Sequence, residues 1–485
     1  MSSTLSGAEV DELLRLLWPG ASTDDAQRWH QQGFEFQTLQ GFPLGLVQGH
    51  GGPCGVLAAV QAEMLRIFLF VRHREALSDV NLQQLVEGLE GDARRQLLAE
   101  AMASLLVQCV GDDRVVRVVQ HGEAATYQES TVVVPLMQTD VFPEELVEVL
   151  TRDMSAFCCP EGVINFTFSV LRTKGVATVR EEMDDPTNTL TGAFGHCTQE
   201  LLNLLLTGKA VSNVFDGSVP MGDSGLFLHG VPQRARIGYL TQLEALCYCQ
   251  VGSYYKSPQF PVWVLGSSSH FSVGFALDAR VSDESASVQL FQRVQRVFKK
   301  FDPMETGFME MARLEISSGA GIVLWDEYWK VISVLLHTND FELALSGGYD
   351  VDKAEVRPLQ RSDSDLAREL QAQFDAEERG GPATPAPQAT HQPPPDAKPS
   401  PLLSFDWFYY NGLGSNSDIS TGRRPQLSKC RVTLENSSEF IGKSVPIENT
   451  GASGGHGSPP LEEIMKTKWP SAQIDWLGSP VPSID

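Results

Sequence analysis

Apolar residues recur at helical spacing in several segments of the first half of the chain. Ser6 and Glu9 have the spacing of a capping box, and apolar residues follow, which predicts an amphipathic helix over residues 6–18. The same periodicity predicts further helices over residues 56–72, 83–110, 142–154, 198–207 and 240–250. The segment 56–72 is apolar on most faces, as in a central buried helix. Residues 162–173 are apolar and fit either a helix or a strand.

Other segments have the composition and alternation of strands. β-Branched residues predominate in 115–119 and fill 131–134, which predicts two strands joined by a polar loop. Residues 260–265 and 271–277 read as a strand, a short polar turn and a second, half-buried strand that begins next to His270. The segments 405–410 and 466–476 are aromatic, and we expect both to return and pack on the main domain.

A glycine-rich loop directly before the central helix carries the first candidate for chemistry. Gly52 permits a sharp turn, Pro53 suits the first turn of a helix, and Cys54 then lies at the helix N-terminus. The helix dipole favours an anion there, so we expect the thiol to lose its proton more easily. Gln48 lies six residues upstream, where its amide can donate to an oxyanion beside the sulfur. The alternative is a buried structural cysteine.

A cysteine nucleophile needs a histidine base, and His270 is the favoured candidate. A cysteine on an early helix and a histidine on a later strand follow the order of papain-like peptidases. His50 is too close to Cys54 along the chain to face it easily. Other histidines in weaker contexts are His30, His196, His229 and His337. The third member of a triad stays open among Asp278, Asn213 and Asp216.

Net charge, apolar stretches and cysteine spacing argue against several classes of protein. The formal net charge of −24 argues against a nucleic-acid ligand, since phosphate binding requires basic patches. Residues 1–20 do not resemble a secretory signal, and no stretch approaches the length of a membrane span. Eight irregularly spaced cysteines suggest neither a disulfide framework nor a zinc site, so we expect an intracellular protein with reduced thiols.

Residues 302–313 have the outline of a calcium-binding EF-hand loop. Asp302, Gly307 and Glu310 occupy its first, sixth and ninth positions. Met304 and Arg313 stand at the third and twelfth positions, where calcium ligands are required. The sequence therefore predicts an EF-hand-like helix pair that does not hold calcium tightly.

Several motifs together resemble the MINDY family of deubiquitinases. They are Gln48 with residues 51–54, the run 203–217, the run 251–258, Gly266 to His270, residues 410–413 and residues 467–470. Among members of that family, the resemblance is greatest to the one with an EF-hand-like insertion after the histidine strand. It implies a papain-like cysteine peptidase that prefers lysine-48-linked ubiquitin chains. It also implies Cys54 as nucleophile, His270 as base and Gln48 as oxyanion donor.

An acidic segment near the C-terminal third is similar to an inverted ubiquitin-interacting motif. Leu366, Ala367, Leu370 and Phe374 share one helical face, and Gln371 follows Leu370 as the motif requires. A small residue among leucines lets such a helix lie close to an apolar patch of a partner. The alternative is an ordinary amphipathic helix docked on its own domain.

Taken together, the sequence predicts an α+β, papain-like fold with a helical EF-hand-like insertion. The expected regions are a catalytic core (1–290), the insertion (291–335), a return to the core (336–361), the acidic helix (362–379), a disordered linker (380–402) and C-terminal segments on the core (403–485). We expect a monomeric, cytoplasmic or nuclear deubiquitinase that needs no cofactor or metal and binds polyubiquitin, not nucleic acid or membrane. The alternatives are a non-catalytic ubiquitin-binding adaptor and an EF-hand-type interaction protein.

Overall fold

The structure is a computed structural model of the 485-residue chain. It describes residues 2–18, 20, 23–38, 42–49, 51–75, 82–86, 89, 91–122, 126–135, 143–221, 225–282, 294, 298, 308–310, 322–338, 403–414, 425–434, 458–470 and 472–484. Helices and sheets are mixed along this chain, which confirms the α+β class predicted from the sequence.

The helices lie mainly in the first half of the chain. They are α1 (Gly7–Leu17), α2 (Thr23–His30), α3 (Cys54–Arg66), α4 (Leu82–Val86), α5 (Gly91–Val107), α6 (Glu144–Arg152), α7 (Met154–Cys158), α8 (Gly162–Lys174), α9 (Val176–Glu182), α10 (Gln199–Thr207), α11 (Gln242–Ala245), α12 (Ser253–Lys256), α13 (Trp325–Thr338) and α14 (Pro460–Lys468). The capping box of α1 is present, and Gly208 ends α10 with a φ of +73°. Both local signals were therefore interpreted correctly.

The strands form one large sheet and several small ones. They are β1 (Ser2–Thr4), β2 (Glu35–Phe36), β3 (Leu46–Val47), β4 (Val115–His121), β5 (Tyr127–Val133), β6 (Ser218–Pro220), β7 (Phe227–His229), β8 (Gly238–Thr241), β9 (Val262–Gly266), β10 (Phe271–Ala276), β11 (Phe308–Glu310), β12 (Ile322–Leu324), β13 (Leu403–Tyr410), β14 (Leu427–Leu434) and β15 (Ala472–Asp475). The strand–turn–strand prediction around His270 corresponds to β9 and β10, so it is confirmed.

The large sheet has six strands in the order β15-β14-β13-β10-β9-β8. All neighbours are antiparallel except β8 and β9. Three of the six strands come from the C-terminal segment, and β13 pairs directly with β10. On one face, Trp469 beside α14 packs against Trp263 of β9 and Trp407 of β13 at ring distances of 5.6 and 5.3 Å. The C-terminal segment thus completes the sheet that carries His270.

The central helix α3 packs against β9 and β10 and continues as a π-helix over Ile67–Arg72. Together they form one helix that is long and apolar enough to cross a membrane, which corrects the expectation that no stretch reaches that length. However, 94% of this helix is buried within the protein. Its charged residues Glu63 and Arg66 bind each other inside the core at 2.8 Å. Such burial is typical of a core helix.

Two helix predictions were wrong in part. The segment 83–110 is divided into α4 and α5, while 240–250 contains only the four-residue helix α11 after strand β8. The last strand residue, Thr241, also caps α11 through its hydroxyl. In 83–110 the apolar residues of α5 are buried in the core, whereas in 240–250 Leu243, Leu246 and Tyr248 are exposed, so helical spacing alone did not determine the local structure. The ambiguous segment 162–173 is helix α8, which packs on β4.

The predicted EF-hand-like region lies largely outside the described residues. Within it, Phe308–Glu310 forms a strand that pairs with Ile322–Leu324, and α13 follows immediately. Phe298 is buried, and its ring lies 5.3 Å from the ring of Tyr328 on α13. The acidic helix and the linker, residues 362–402, also lie outside the described residues.

Candidate active site

The loop before α3 turns sharply at Gly52, which has a φ of +130°. A Cβ atom at this position would lie 3.2 Å from the indole nitrogen of Trp29, so both the backbone angle and the space favour glycine. Pro53 caps α3, and Cys54 is the first residue of the helix. The prediction that Cys54 lies at the N-terminus of the helix is therefore confirmed.

The Cys54 thiol is almost completely buried, with 1% of the residue exposed. Burial raises the pKa of the thiol to about 11, because the thiolate loses its hydration. Hydrogen bonds from the backbone N–H of Phe271 and from the Gln48 side chain act in the opposite direction but do not outweigh burial. The N–H groups of Cys54 and Gly55 at the helix N-terminus also lower this pKa, but burial outweighs them, so the expectation that the thiol loses its proton more easily is wrong for the resting site.

Gln48 lies beside Cys54 and is held there by its own backbone. Its N–H donates to the carbonyl of Gly412 at 2.9 Å, and its carbonyl accepts from the N–H of Gly414 at 3.0 Å. The residue is 3% exposed, and its side chain reaches the Cys54 thiol. A segment more than three hundred residues away thus fixes the position of Gln48.

His270 stands directly before β10, as the sequence predicted. Its backbone is fixed by Ser267, whose hydroxyl accepts from the His270 N–H at 2.9 Å. In the ring, Nε2 lies 3.0 Å from the backbone carbonyl oxygen of Asn411. A carbonyl oxygen only accepts, so Nε2 must carry a proton and Nδ1 is the basic nitrogen of the neutral ring.

A small cavity joins these groups. It has a volume of about 20 Å³, enough for one water molecule. Gln48, Cys54, Phe271, Asn411 and Gly412 contribute to its wall. His270 itself is linked to the cavity from two sides, through its chain neighbour Phe271 and through Asn411, which binds its ring.

None of the three acidic or amide candidates for the third triad position contacts His270 through a described hydrogen bond. Asp278 binds Arg280, and this hydrogen bond lowers the pKa of its carboxyl group. The Asn213 amide donates to Asp184, and the Asp216 carboxylate accepts from the start of α12. The described hydrogen bond of the His270 ring is to the carbonyl of Asn411.

Asn411 was not predicted as a site residue, although its tetrapeptide carries part of the family resemblance. Gly412 has a φ of +70°, and a Cβ there would lie 3.1 Å from the carbonyl oxygen of Leu46. The Asn411 side chain donates to the carbonyl of Ser483 at 3.0 Å and accepts from the N–H of Leu413 at 3.1 Å. An Asn-Gly pair between an aromatic strand and a loop was the available signal.

The remaining predicted site residues lie outside the described residues. These are the ubiquitin-binding candidates Leu366, Ala367, Leu370 and Gln371 and, among the competing histidines, His50. Among the described residues, no group of three histidine, cysteine or carboxylate side chains has the arrangement of a metal site.

A family of known proteins is similar to this chain. One match covers the central region, and others extend over nearly the entire chain. The conserved domain described as "Deubiquitinating enzyme MINDY-3/4" matches residues 15–294. Ubiquitin carboxyl-terminal hydrolase MINDY-3 of Homo sapiens is 29% identical over 98% of this chain and 99% of its own length. The MINDY-3 homolog of Drosophila melanogaster is 26% identical over 98% of this chain and 83% of its own length.

A second type of relative is similar over a shorter stretch. Probable ubiquitin carboxyl-terminal hydrolase MINDY-4 of Mus musculus is 36% identical over 58% of this chain and 38% of its own length. No solved structure matches the chain. The domain match spans more than half of the sequence and includes Gln48, Cys54 and His270. The chain therefore belongs to the MINDY-3/4 family of cysteine-type deubiquitinating enzymes.

Proposed function

We propose that this chain is a thiol isopeptidase that hydrolyses lysine-48-linked polyubiquitin, with Cys54 as nucleophile, His270 as general base and Gln48 as oxyanion donor. One observation carries the assignment of roles. The Gln48 side chain and the backbone N–H of Phe271, the residue after His270, both reach the Cys54 thiol at the wall of one cavity. The carbonyl of Asn411 binds the His270 ring. The linkage preference rests on the family resemblance.

The reaction begins with transfer of the thiol proton. Because Nε2–H of His270 donates to Asn411, Nδ1 accepts the proton from Cys54 as its sulfur attacks the isopeptide carbonyl carbon. Because burial raises the pKa of the thiol, the proton leaves the sulfur while the sulfur attacks, and not beforehand. The Gln48 amide and the N–H groups at the start of α3 donate to the oxyanion of the tetrahedral intermediate.

Collapse of that intermediate releases the lysine amine, which takes the proton from His270. The acyl group remains on the Cys54 sulfur as a thioester. Water then attacks the thioester, again with His270 as base, and restores the free thiol. The resting cavity holds about one water molecule, so the substrate's C-terminal strand requires the surrounding loops to separate.

The fold that we propose is papain-like, with the thiol on a central helix and the imidazole on an adjoining strand. The packing of α3 against β9 and β10 supports it. We also propose that residues 291–335 are an EF-hand-like insertion without tight calcium binding, and that the protein is a cytoplasmic or nuclear monomer.

Linkage-defined ubiquitin chains test the proposed activity. We expect long lysine-48-linked chains to be shortened and chains of the other linkages to persist under the same conditions. A ubiquitin probe with a C-terminal vinyl sulfone or propargyl group should form a covalent adduct at Cys54. A non-catalytic ubiquitin-binding adaptor would bind chains but would not react with the probe, and calorimetric titration with calcium tests the EF-hand alternative.

Replacing Gln48 by alanine is expected to lower kcat by about 10²–10³, because the oxyanion loses one aligned donor. Steady-state cleavage of a lysine-48-linked chain measures this loss. Gln84→Ala, on the exposed side of α4, is the matched control and should retain kcat. An unchanged kcat in Gln48→Ala would mean that Gln48 only supports the loop.

The acidic helix is proposed to hold additional ubiquitin units of a long chain. A single helix on a small apolar patch binds weakly, but several ubiquitins in one chain multiply its effect through effective concentration. The double variant Leu366→Ala with Leu370→Ala should therefore slow cleavage of pentaubiquitin much more than cleavage of diubiquitin. Probe labelling of Cys54 should keep its rate.

A control for this experiment lies on the opposite side of the same predicted helix. The double variant Arg368→Ala with Asp375→Ala preserves the net charge and leaves the apolar face intact. It should cleave both chain lengths at the normal rates. Equal slowing of both lengths by the leucine variants, or no slowing, would identify an ordinary amphipathic helix.

A further inference from the structure

A second buried thiol, Cys197, lies beside Cys54 and has no part in the reaction proposed above. Both sulfurs contact the same carbonyl oxygen of Gly52, Cys54 at 3.7 Å and Cys197 at 3.8 Å. The two sulfur atoms are therefore at most about 7.5 Å apart. Both also lie near the backbone N–H of Gly55.

The close approach of Cys197 depends on the residue that follows Cys54. A Cβ atom at Gly55 would lie 2.9 Å from Cβ and 3.0 Å from Sγ of Cys197. Glycine at this position therefore leaves the space that the Cys197 side chain occupies. The Cys197 backbone is fixed by an antiparallel bridge to Thr191.

Rotation about χ1 is the motion by which the two sulfurs would approach each other. Changing between staggered χ1 positions displaces a cysteine sulfur by about 3 Å. Two such rotations directed toward each other would close about 6 Å, and a disulfide requires a final S–S distance of about 2 Å.

We propose that Cys54 and Cys197 form a redox modification site, in which hydrogen peroxide converts the two thiols into a disulfide that blocks the nucleophile. The inference rests on the proposed reactivity of Cys54. The cavity beside Cys54 accepts a molecule about the size of water, so a small neutral peroxide fits it far better than a bulky disulfide oxidant.

The reaction balances in two steps. The Cys54 thiolate attacks one oxygen of hydrogen peroxide, an S–O bond forms, the O–O bond breaks, and hydroxide leaves and becomes water. Cys54 is then a sulfenic acid, oxidised by two electrons. The Cys197 sulfur attacks the Cys54 sulfur, the S–S bond forms, and the S–O bond breaks. The departing hydroxide takes the Cys197 proton, so two thiols and one peroxide give one disulfide and two waters.

Electrostatics favours this order of events. Burial raises the pKa of Cys197, and a charge on Cys54 raises it further. Once Cys54 becomes an uncharged sulfenic acid, that repulsion is removed. Backbone N–H groups of Gly55 and Val56 stabilise the negative charge that develops on the Cys197 sulfur as it attacks and passes its proton to the departing hydroxide. Cys54 also lines the cavity that admits a small molecule, so it is the first sulfur to react, and Cys197 is the resolving thiol.

Peptide mapping of the full chain after peroxide treatment detects the bond directly. Trypsin places Cys54 in peptide 29–66 and Cys197 in peptide 181–209, and neither peptide holds another cysteine. We expect these two peptides to be linked after oxidation and separated after dithiothreitol. Cleavage activity, expressed relative to each variant's own starting rate, should fall with oxidation and return with reductant in the unmodified chain.

Variants at position 197 should lose this recovery. Without a resolving thiol, Cys197→Ser and Cys197→Ala leave Cys54 to oxidise further to sulfinic acid, which dithiothreitol does not reduce. We expect recovered activity to fall by about tenfold in both variants. The matched control is Cys109→Ala, a change at another buried thiol that lies against Leu105 and Leu204.

The outcomes separate this inference from the proposed function. A linked peptide pair in a chain that does not cleave ubiquitin would support the redox site and contradict the activity. A cleaving chain without the linked pair, or with full recovery in the Cys197 variants, would overturn the redox site. Two variants at the same position guard against misfolding of either one.

Discussion

Cys54→Ala is expected to abolish cleavage of lysine-48-linked chains, because no acyl intermediate forms without the sulfur. Cleavage over an extended time course, at high enzyme concentration, measures the remaining rate. Folding and chain binding should change little, since alanine fits the space at the start of α3 and the acidic helix is untouched. Binding is measured by retention of ubiquitin chains on the immobilised variant.

Cys109→Ala provides the control for this loss, because it makes the same chemical change at a thiol that is also fully buried. It should retain cleavage and probe labelling. Turnover above background by Cys54→Ala, with folding intact, would mean that another residue is the nucleophile. Loss of activity in both variants would point to destabilisation of the core.

His270→Ala is expected to lower kcat at neutral pH by about 10²–10⁴, because the thiol loses its general base. Burial raises the pKa of the thiol to about 11, so without a base only a small thiolate fraction reacts at pH 7. The residual rate should rise about tenfold per pH unit, since it follows the thiolate fraction below the pKa. Rates measured from pH 7 to pH 9 test this slope.

His229→Ala, at an exposed position of β7, is the control and should keep the pH profile of the unmodified chain. A flat pH profile in His270→Ala would show that the thiol is already ionised without the imidazole. A small drop in kcat would assign the base role to another histidine.

The sequence predicted those parts of the site that depend on neighbouring residues. Gly52, Pro53 and Cys54 specify a turn and a helix start through their own backbone preferences. The alternating strand after His270 was recognisable in the same way, because side chains on a strand alternate between two faces. These local signals located both proposed catalytic residues on their elements.

Features that depend on distant contacts were not predictable. The carbonyl of Asn411 meets His270 across 141 residues, and a backbone acceptor leaves no characteristic side chain in the sequence. The pKa of Cys54 was predicted in the wrong direction because the helix end is a local feature, whereas burial requires the assembled core. The helix predicted over 240–250 failed for the same reason. Its first two residues, Leu240 and Thr241, belong to β8 and pair with the distant strand β9.

The hydrogen bonds of the Asn411–Gly414 segment also determine when the enzyme becomes competent during its synthesis. The ribosome releases α3 and β10 long before this segment, which supplies an acceptor for His270 and two backbone partners of Gln48. A nascent chain that still lacks β13 has the nucleophile but no oriented base. We therefore expect peptidase activity to arise only after the Asn411–Gly414 segment has been translated.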